Sequence, residues 1–405
     1  MNKSDSELFS QRPSVDSSPE MNPLHIQELT DRCIDLLSDS EPSLRACSLV
    51  SRSWVHPSQS HLFAEINLEH AVAVSEGSLI RTFRLLDVLD ASPRLVSYIL
   101  TLSIWPEVIT PALFRRFCNL PYTRLTSLTI YEMYIDLPFD TCVGIQQLLS
   151  LPTLLSVDLE CPFADKEQFL LIWKHCTGNI KHLTLHCGRI DEGRAAPTVD
   201  PGFAAGPQIK LESFQTNNLR DIQWWLDDPR CPLNFAGLKA LYFSDGTDVL
   251  QRGILAPALK SVEVVMSASQ VGDLSGFECL TDLSLMVIHP NTELAFRTIA
   301  TIVPQSLSRL RAIRFRLIIY TNSDIEKLQS ARTLFVLCSE LDRRLSELRD
   351  TLPNLAIVHI STNSVPTPAL TECFFPLLDP GISVQWTFTS FRGWREPVPW
   401  YRSIV

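Results

Sequence analysis

Five side chains able to bind metal or act as nucleophile and base crowd into HCTGNIKHLTLHC: His175, Cys176, His182, His186 and Cys187. A zinc centre needs three or four such ligands at finger-like or ribbon-like spacing. This spacing fits neither. Alternation along an extended chain also divides the set, with Leu183, Leu185 and Cys187 on one face and His182 and His186 on the other. A cysteine nucleophile needs a histidine base brought to it, and no local pattern does that. The nearest approach to a phosphate loop is GDLSGF, residues 272–277. It lacks the Lys-Ser/Thr of a P-loop and the third glycine of a dinucleotide fingerprint. With only 14 glycines in 405 residues, the expectation is a chain with no catalytic residues, no metal site and no cofactor.

The same stretch contains IKHLTL, and that pattern recurs. An apolar residue is followed three later by another, and two later by a third. The instances begin at Ile99, Leu125, Leu154, Ile180, Leu211, Leu238, Leu259, Leu280, Leu310 and Leu355. Most starts lie near the 20–29-residue period of leucine-rich repeats, or just beyond it. Such a hexad is a turn into a short strand whose last two apolar residues share one face. One strand cannot bury that face alone, whereas parallel stacking makes a continuous core. Between the hexads, PFDTCVGIQQLLSLP, DKEQFLLIWKHC, NNLRDIQWWLDD and TELAFRTIATIVP carry apolar residues on a helical period. A doubly wound α/β fold would also alternate strand and helix, but it would not require the recurring hexad. The fold class expected is α/β: a leucine-rich-repeat solenoid over 69–405, parallel strands on the concave face and helices on the convex face. Leu334, Leu337, Leu341, Leu345, Leu348 and Leu352 mark one long helix before Pro353. The aromatic-rich stretch from Gln385 reads as a terminal cap.

Composition narrows the function. The formal net charge is −10, with 20% charged and 45% hydrophobic residues, so a core can form and phosphate backbones are repelled. No nucleic-acid partner is expected. No run of about 18 apolar residues calls for a membrane. The opening residues have no apolar stretch of a secretion signal. The eleven cysteines include no C-x-x-C pair, which suits reduced thiols in cytoplasm or nucleus. Residues 1–20 read as a disordered tail.

Residues 21–68 form a separate module. Leu29, Cys33, Ile34 and Leu37 lie on one face of a first helix, Glu28–Leu37. Ser40 and Pro42 open a second helix that carries Leu44, Val50 and Trp54, and Pro57 can open a third. Three short helices make a marginal domain. IQELTDRCIDLLSDSEPSLRACSLVSRSWVHPSQSHLFAEINL, residues 26–68, resembles an F-box, and more closely the F-boxes that open many fungal leucine-rich-repeat proteins. The resemblance rests on Glu28, Leu29, Ile34, Leu37, Leu44, Val50 and Trp54, with Leu62 and Phe63 at the exit. Where the family begins Leu-Pro-x-Glu, this chain has His25-Ile26 before Gln27-Glu28. The resemblance implies a non-catalytic substrate receptor. The F-box would hold a Skp-type adaptor of a cullin ubiquitin ligase, and the array would hold a target protein. A leucine-rich interaction scaffold without a ubiquitin-ligase role is the alternative. Trp105, Tyr131, His186 and Tyr242, on the strand face opposite the buried one, are the candidate target-binding residues, because aromatic side chains often anchor protein interfaces.

Overall fold

The computed structural model describes residues 27–68, 76–105, 110–131, 138–161, 163, 166–176, 178–186, 208–216, 230–243, 259–266, 274, 277–288, 297–300, 304–318, 336, 338–362 and 382–388. The chain divides into two compact units after Glu65.

The first unit holds helices α1 (Gln27–Asp35), α2 (Glu41–Val50) and α3 (Arg52–Leu62). Ser40 occupies the N-cap of α2 and Pro42 lies in its first turn. The expected second helix, from Leu44 to Trp54, is in fact two. Ser51 is extended, at φ −154° and ψ 156°, which ends α2 and places Trp54 in the first turn of α3. Pro57 does not open the third helix; it lies inside α3. A proline there leaves the carbonyl four residues back without its helical donor. That carbonyl belongs to Ser53, and Gln27 Nε2 donates to it at 3.3 Å. The core of this unit is Ile34, Leu44 and Cys47, with Leu37, Trp54 and Leu62 packed against it. Leu29 and Cys33 do not join Ile34 inside, because both are exposed.

The second unit is built on a twelve-stranded sheet: β1 (Glu65–Asn67), β2 (Thr101–Ile104), β3 (Ser127–Tyr131), β4 (Ser156–Glu160), β5 (His182–His186), β7 (Ser213–Thr216), β9 (Ala240–Phe243), β10 (Ser261–Met266), β11 (Asp282–Ile288), β12 (Ala312–Ile318), β13 (Ile357–Thr362) and β14 (Ser383–Phe388), in that spatial order. The short strands β6 (Ile209–Lys210) and β8 (Leu233–Asn234) pair with each other outside it. From β2 to β14 each neighbouring pair is parallel. Parallel neighbours require a return crossover. Helices α4 (Glu76–Ala91), α5 (Pro93–Val96), α6 (Pro111–Cys118), α7 (Phe139–Leu149) and α8 (Lys166–Trp173) lie in the early crossovers. Gly144 of α7 is a close approach: a Cβ there would sit 2.7 Å from Phe114 and 2.8 Å from Cys118 of α6.

Each of the ten hexads enters one of the strands β2–β5, β7 and β9–β13, two residues after its first apolar position. The turn is held the same way each time. Ser127 N donates to Leu100 O, Ser156 N to Thr126 O, His182 N to Leu155 O and Ser213 N to Lys181 O, so the third residue of one hexad binds the second residue of the one before. One face of the sheet carries Leu102, Leu128, Val157, Leu183, Phe214, Leu241, Val262, Leu283, Ile313 and Val358, all buried. The strands β1 and β14 flank the ten and carry no hexad. β14 covers part of the aromatic stretch read as a cap; residues beyond 388 lie outside the described residues, as do the 1–20 tail and NNLRDIQWWLDD. Residues 338–347 are helical, with Cys338, Leu341 and Leu345 buried; Leu334 and Leu337 fall outside the description. Among the described residues, no helix is long and apolar enough to cross a membrane.

Candidate functional site

Two places hold the residues singled out in the sequence, and each stands in its own unit.

In the helical unit the seven module residues split by burial. Ile34 is fully buried and Leu44 nearly so, while Leu37 and Trp54 pack on that core. Glu28, Leu29 and Val50 face solvent. Two further leucines join them outside: Leu36 is 82% and Leu49 87% exposed, with Val50 at 65%. The sequence reading missed Leu36 and Leu49 because a helical stripe is assigned by period, and both fall off the stripe of the core.

On the sheet, the polar face is ordered by register. The fifth residues of the hexads form one row: Ser103, Thr129, Asp158, Thr184, Gln215, Tyr242, Glu263, Ser284, Arg314 and His359. One step further along, Tyr131 pairs with Glu160 and Glu160 with His186. Trp105 follows Ile104, the partner of Ile130, so it stands beside Tyr131. Their ring centroids are 4.9 Å apart, with planes tilted by 38°. Three of the four target-binding candidates therefore gather at β2–β5. Tyr242 does not join them: it belongs to the inner row on β9, next to Glu263 of β10.

The β2–β5 region is acidic and aromatic. Asp158 and Glu160 share a face of β4. Asp158 keeps some surface open, but its Oδ1 has no solvent contact and no hydrogen-bond partner among the described residues. Burial, and then repulsion from Glu160, pushes its carboxyl up to about 7. The Trp105 indole Nε1 is likewise enclosed without a partner among the described residues. Burial lowers the His186 imidazole, and burial is also the main reason that the His182 imidazole is lowered. His182 Nδ1 lies 2.8 Å from Ser213 Oγ.

The β9–β13 region is charged but largely answers itself. Glu263 is 2% exposed, and burial raises its carboxyl against the pull of Arg316 and Arg314. Arg316 Nη1 stands 3.2 Å from Glu263 Oε1. The approach is an ion pair by distance rather than a directed hydrogen bond, since Oε1 accepts none among the described residues. Burial lowers the Arg314 guanidinium. Burial, with both arginines beside it, lowers His359 to about 4. The Tyr242 phenol is pushed up to about 12 by burial and by Glu263.

Asp158, Glu263 and His359 were not candidates from sequence. The signal that could have found them is a charged or titratable residue at the fifth hexad position, where half of the repeats carry Ser, Thr or Gln. His182 and His186 do lie opposite Leu183 and Leu185; Cys187 is outside the described residues. Compared with protein-family models and with curated proteins, the chain matches none.

Proposed function

We propose that the chain is the substrate-recognition subunit of a Skp-cullin-F-box type ubiquitin ligase, with α1–α3 as an F-box and the parallel sheet as the inner face of a leucine-rich-repeat solenoid. It works without catalytic residues of its own. The F-box holds the adaptor, the strand face holds a target protein, and the target's lysines gain effective concentration near the ligase. The setting is cytoplasm or nucleus.

The observation that carries this reading is the exposure of Leu36, Leu49 and Val50 on a helical unit whose small core closes without them. Three large apolar side chains in water on a unit this small favour a protein partner. The resemblance of residues 26–68 to an F-box makes that partner a Skp-type adaptor. Polar and aromatic residues in register along the sheet favour a second protein partner there.

Co-purification with a Skp-type adaptor tests it, comparing the full chain, a chain lacking 21–68, and Leu36→Asp/Leu49→Asp. Capture by the full chain alone is the expected result. No capture, or capture indifferent to both changes, would replace this reading with an interaction scaffold lacking a ligase role.

A further inference from the structure

We propose that the β2–β5 end of the strand face binds a basic side chain of the target protein, a lysine ammonium or an arginine guanidinium, between the Asp158 and Glu160 carboxylates and the Trp105–Tyr131 rings. This rests on the reading of the strand face as a target surface, and names what that surface takes.

The strand register brings these side chains together. Tyr131 and Glu160 are direct cross-strand partners, Trp105 lies beside Tyr131, and Asp158 is one row in from Glu160 on the same face. Aromatic faces attract cations through their quadrupole, more strongly once water is excluded. Carboxylates beside them add charge. A buried carboxylate oxygen with no donor is costly to the fold, yet Asp158 Oδ1 has none among the described residues. The charged group acting on it is Glu160 on its own strand, and its direct partners across the sheet are Thr129 on β3 and Thr184 on β5. On β2–β5, no lysine or arginine stands at the fifth hexad position or directly after the hexad.

The cation that completes the site is organic. Among the described residues, no group of three His, Cys, Asp or Glu side chains is placed to hold a metal ion. The second unpartnered group agrees with a peptide. The Trp105 indole N–H is a donor, so a cation alone leaves it unanswered, whereas a target chain brings a carbonyl oxygen along with its basic side chain.

The test uses the full chain and three probes of one shape: n-butylammonium, n-butylguanidinium and n-butanol. The readout is the indole ¹⁵N–H resonance of Trp105, assigned with Trp105→Phe. A saturable shift with one or both cations and none with butanol is expected, the tighter cation identifying lysine or arginine. Asp158→Asn is expected to weaken it at least tenfold, and Tyr131→Leu several-fold with an unchanged melting temperature. No cation-specific shift, or a shift that Asp158→Asn leaves intact, would overturn the proposal. Neither outcome depends on adaptor capture, so failure here leaves the ligase reading standing, and the reverse holds too.

Discussion

Asp158 on β4 and Glu263 on β10 occupy the fifth position of their repeats, in the same row of one sheet, and burial raises both carboxyls. Their neighbours differ. Glu263 lies across the sheet from Arg314 and Arg316, two residues of one strand, with Arg316 at 3.2 Å. Asp158 has a second carboxylate, Glu160, beside it on its own strand, and among the described residues its Oδ1 has no hydrogen-bond partner. The repeat therefore sets where a side chain stands, and the one or two repeats beside it decide whether a buried charge is answered. An answered carboxylate belongs to the fold. An unanswered one is a vacancy of charge that a partner can fill.

Substitutions can break this contrast. The largest effect is expected from Arg316→Ala, which leaves Glu263 enclosed without its ion pair. Breaking a buried pair costs several kcal/mol, and Arg316 is itself partly exposed, so a loss of about 2–4 kcal/mol in urea unfolding is expected. Glu263→Gln keeps the volume and removes the charge; a loss of about 1–2 kcal/mol is expected. Asp158→Asn has the opposite sign. It removes an uncompensated charge, so the free protein gains about 1 kcal/mol at pH 8 and nothing at pH 3, where the aspartate is protonated. Equal destabilisation by the Asp158 and Glu263 substitutions would erase the distinction.

Acid separates the two regions again. The folded-state value of Asp158 lies above its ordinary one, so its contribution to stability is full below about 4 and is lost as pH rises toward 7. His359 lies below its ordinary value, so its contribution is full above about 6.5 and is lost as pH falls toward 4. Melting curves from pH 4 to 7 are expected to steepen for Asp158→Asn and flatten for His359→Gln, relative to the parent chain.

The smallest effect is expected at the turns. Glu212 accepts from Lys239 at 2.6 Å and lies 3.0 Å from Lys181, one charge on each of three successive repeats. Both lysines hold its carboxyl at about 2. That stability is present above pH 4.5 and lost as pH falls through about 2. Solvent screens the cluster, so Glu212→Gln is expected to cost no more than about 0.5–1 kcal/mol, shrinking with added salt.

Much of the sheet was legible because its signal is local. Leu125, Leu128 and Ile130 are three residues of one hexad, and their spacing states both the strand and its buried face. The strands β1 and β14 were missed because Glu65–Asn67 and Ser383–Phe388 carry no hexad; they pair with a neighbour that supplies the pattern. The helical unit was read less well at Ser51. A period of three to four runs unbroken from Leu44 to Trp54, and only a backbone angle reveals that the helix stops between them. The site was partly legible. Trp105 and Tyr131 stood out by type, and the register brings them together. Asp158 did not, since a polar residue on a strand's open face is ordinary, and its lack of a partner depends on β3 and β5, which the sequence places about thirty residues away on either side.

The most direct test is a carbon-13 titration of the Asp158 carboxyl in the full chain, assigned with Asp158→Asn, without and with n-butylammonium. The account predicts a midpoint near 7 in the free protein, falling toward the ordinary carboxylate range when the cation binds. A midpoint near 4 in the free protein, or one near 7 that the cation does not move, would contradict it.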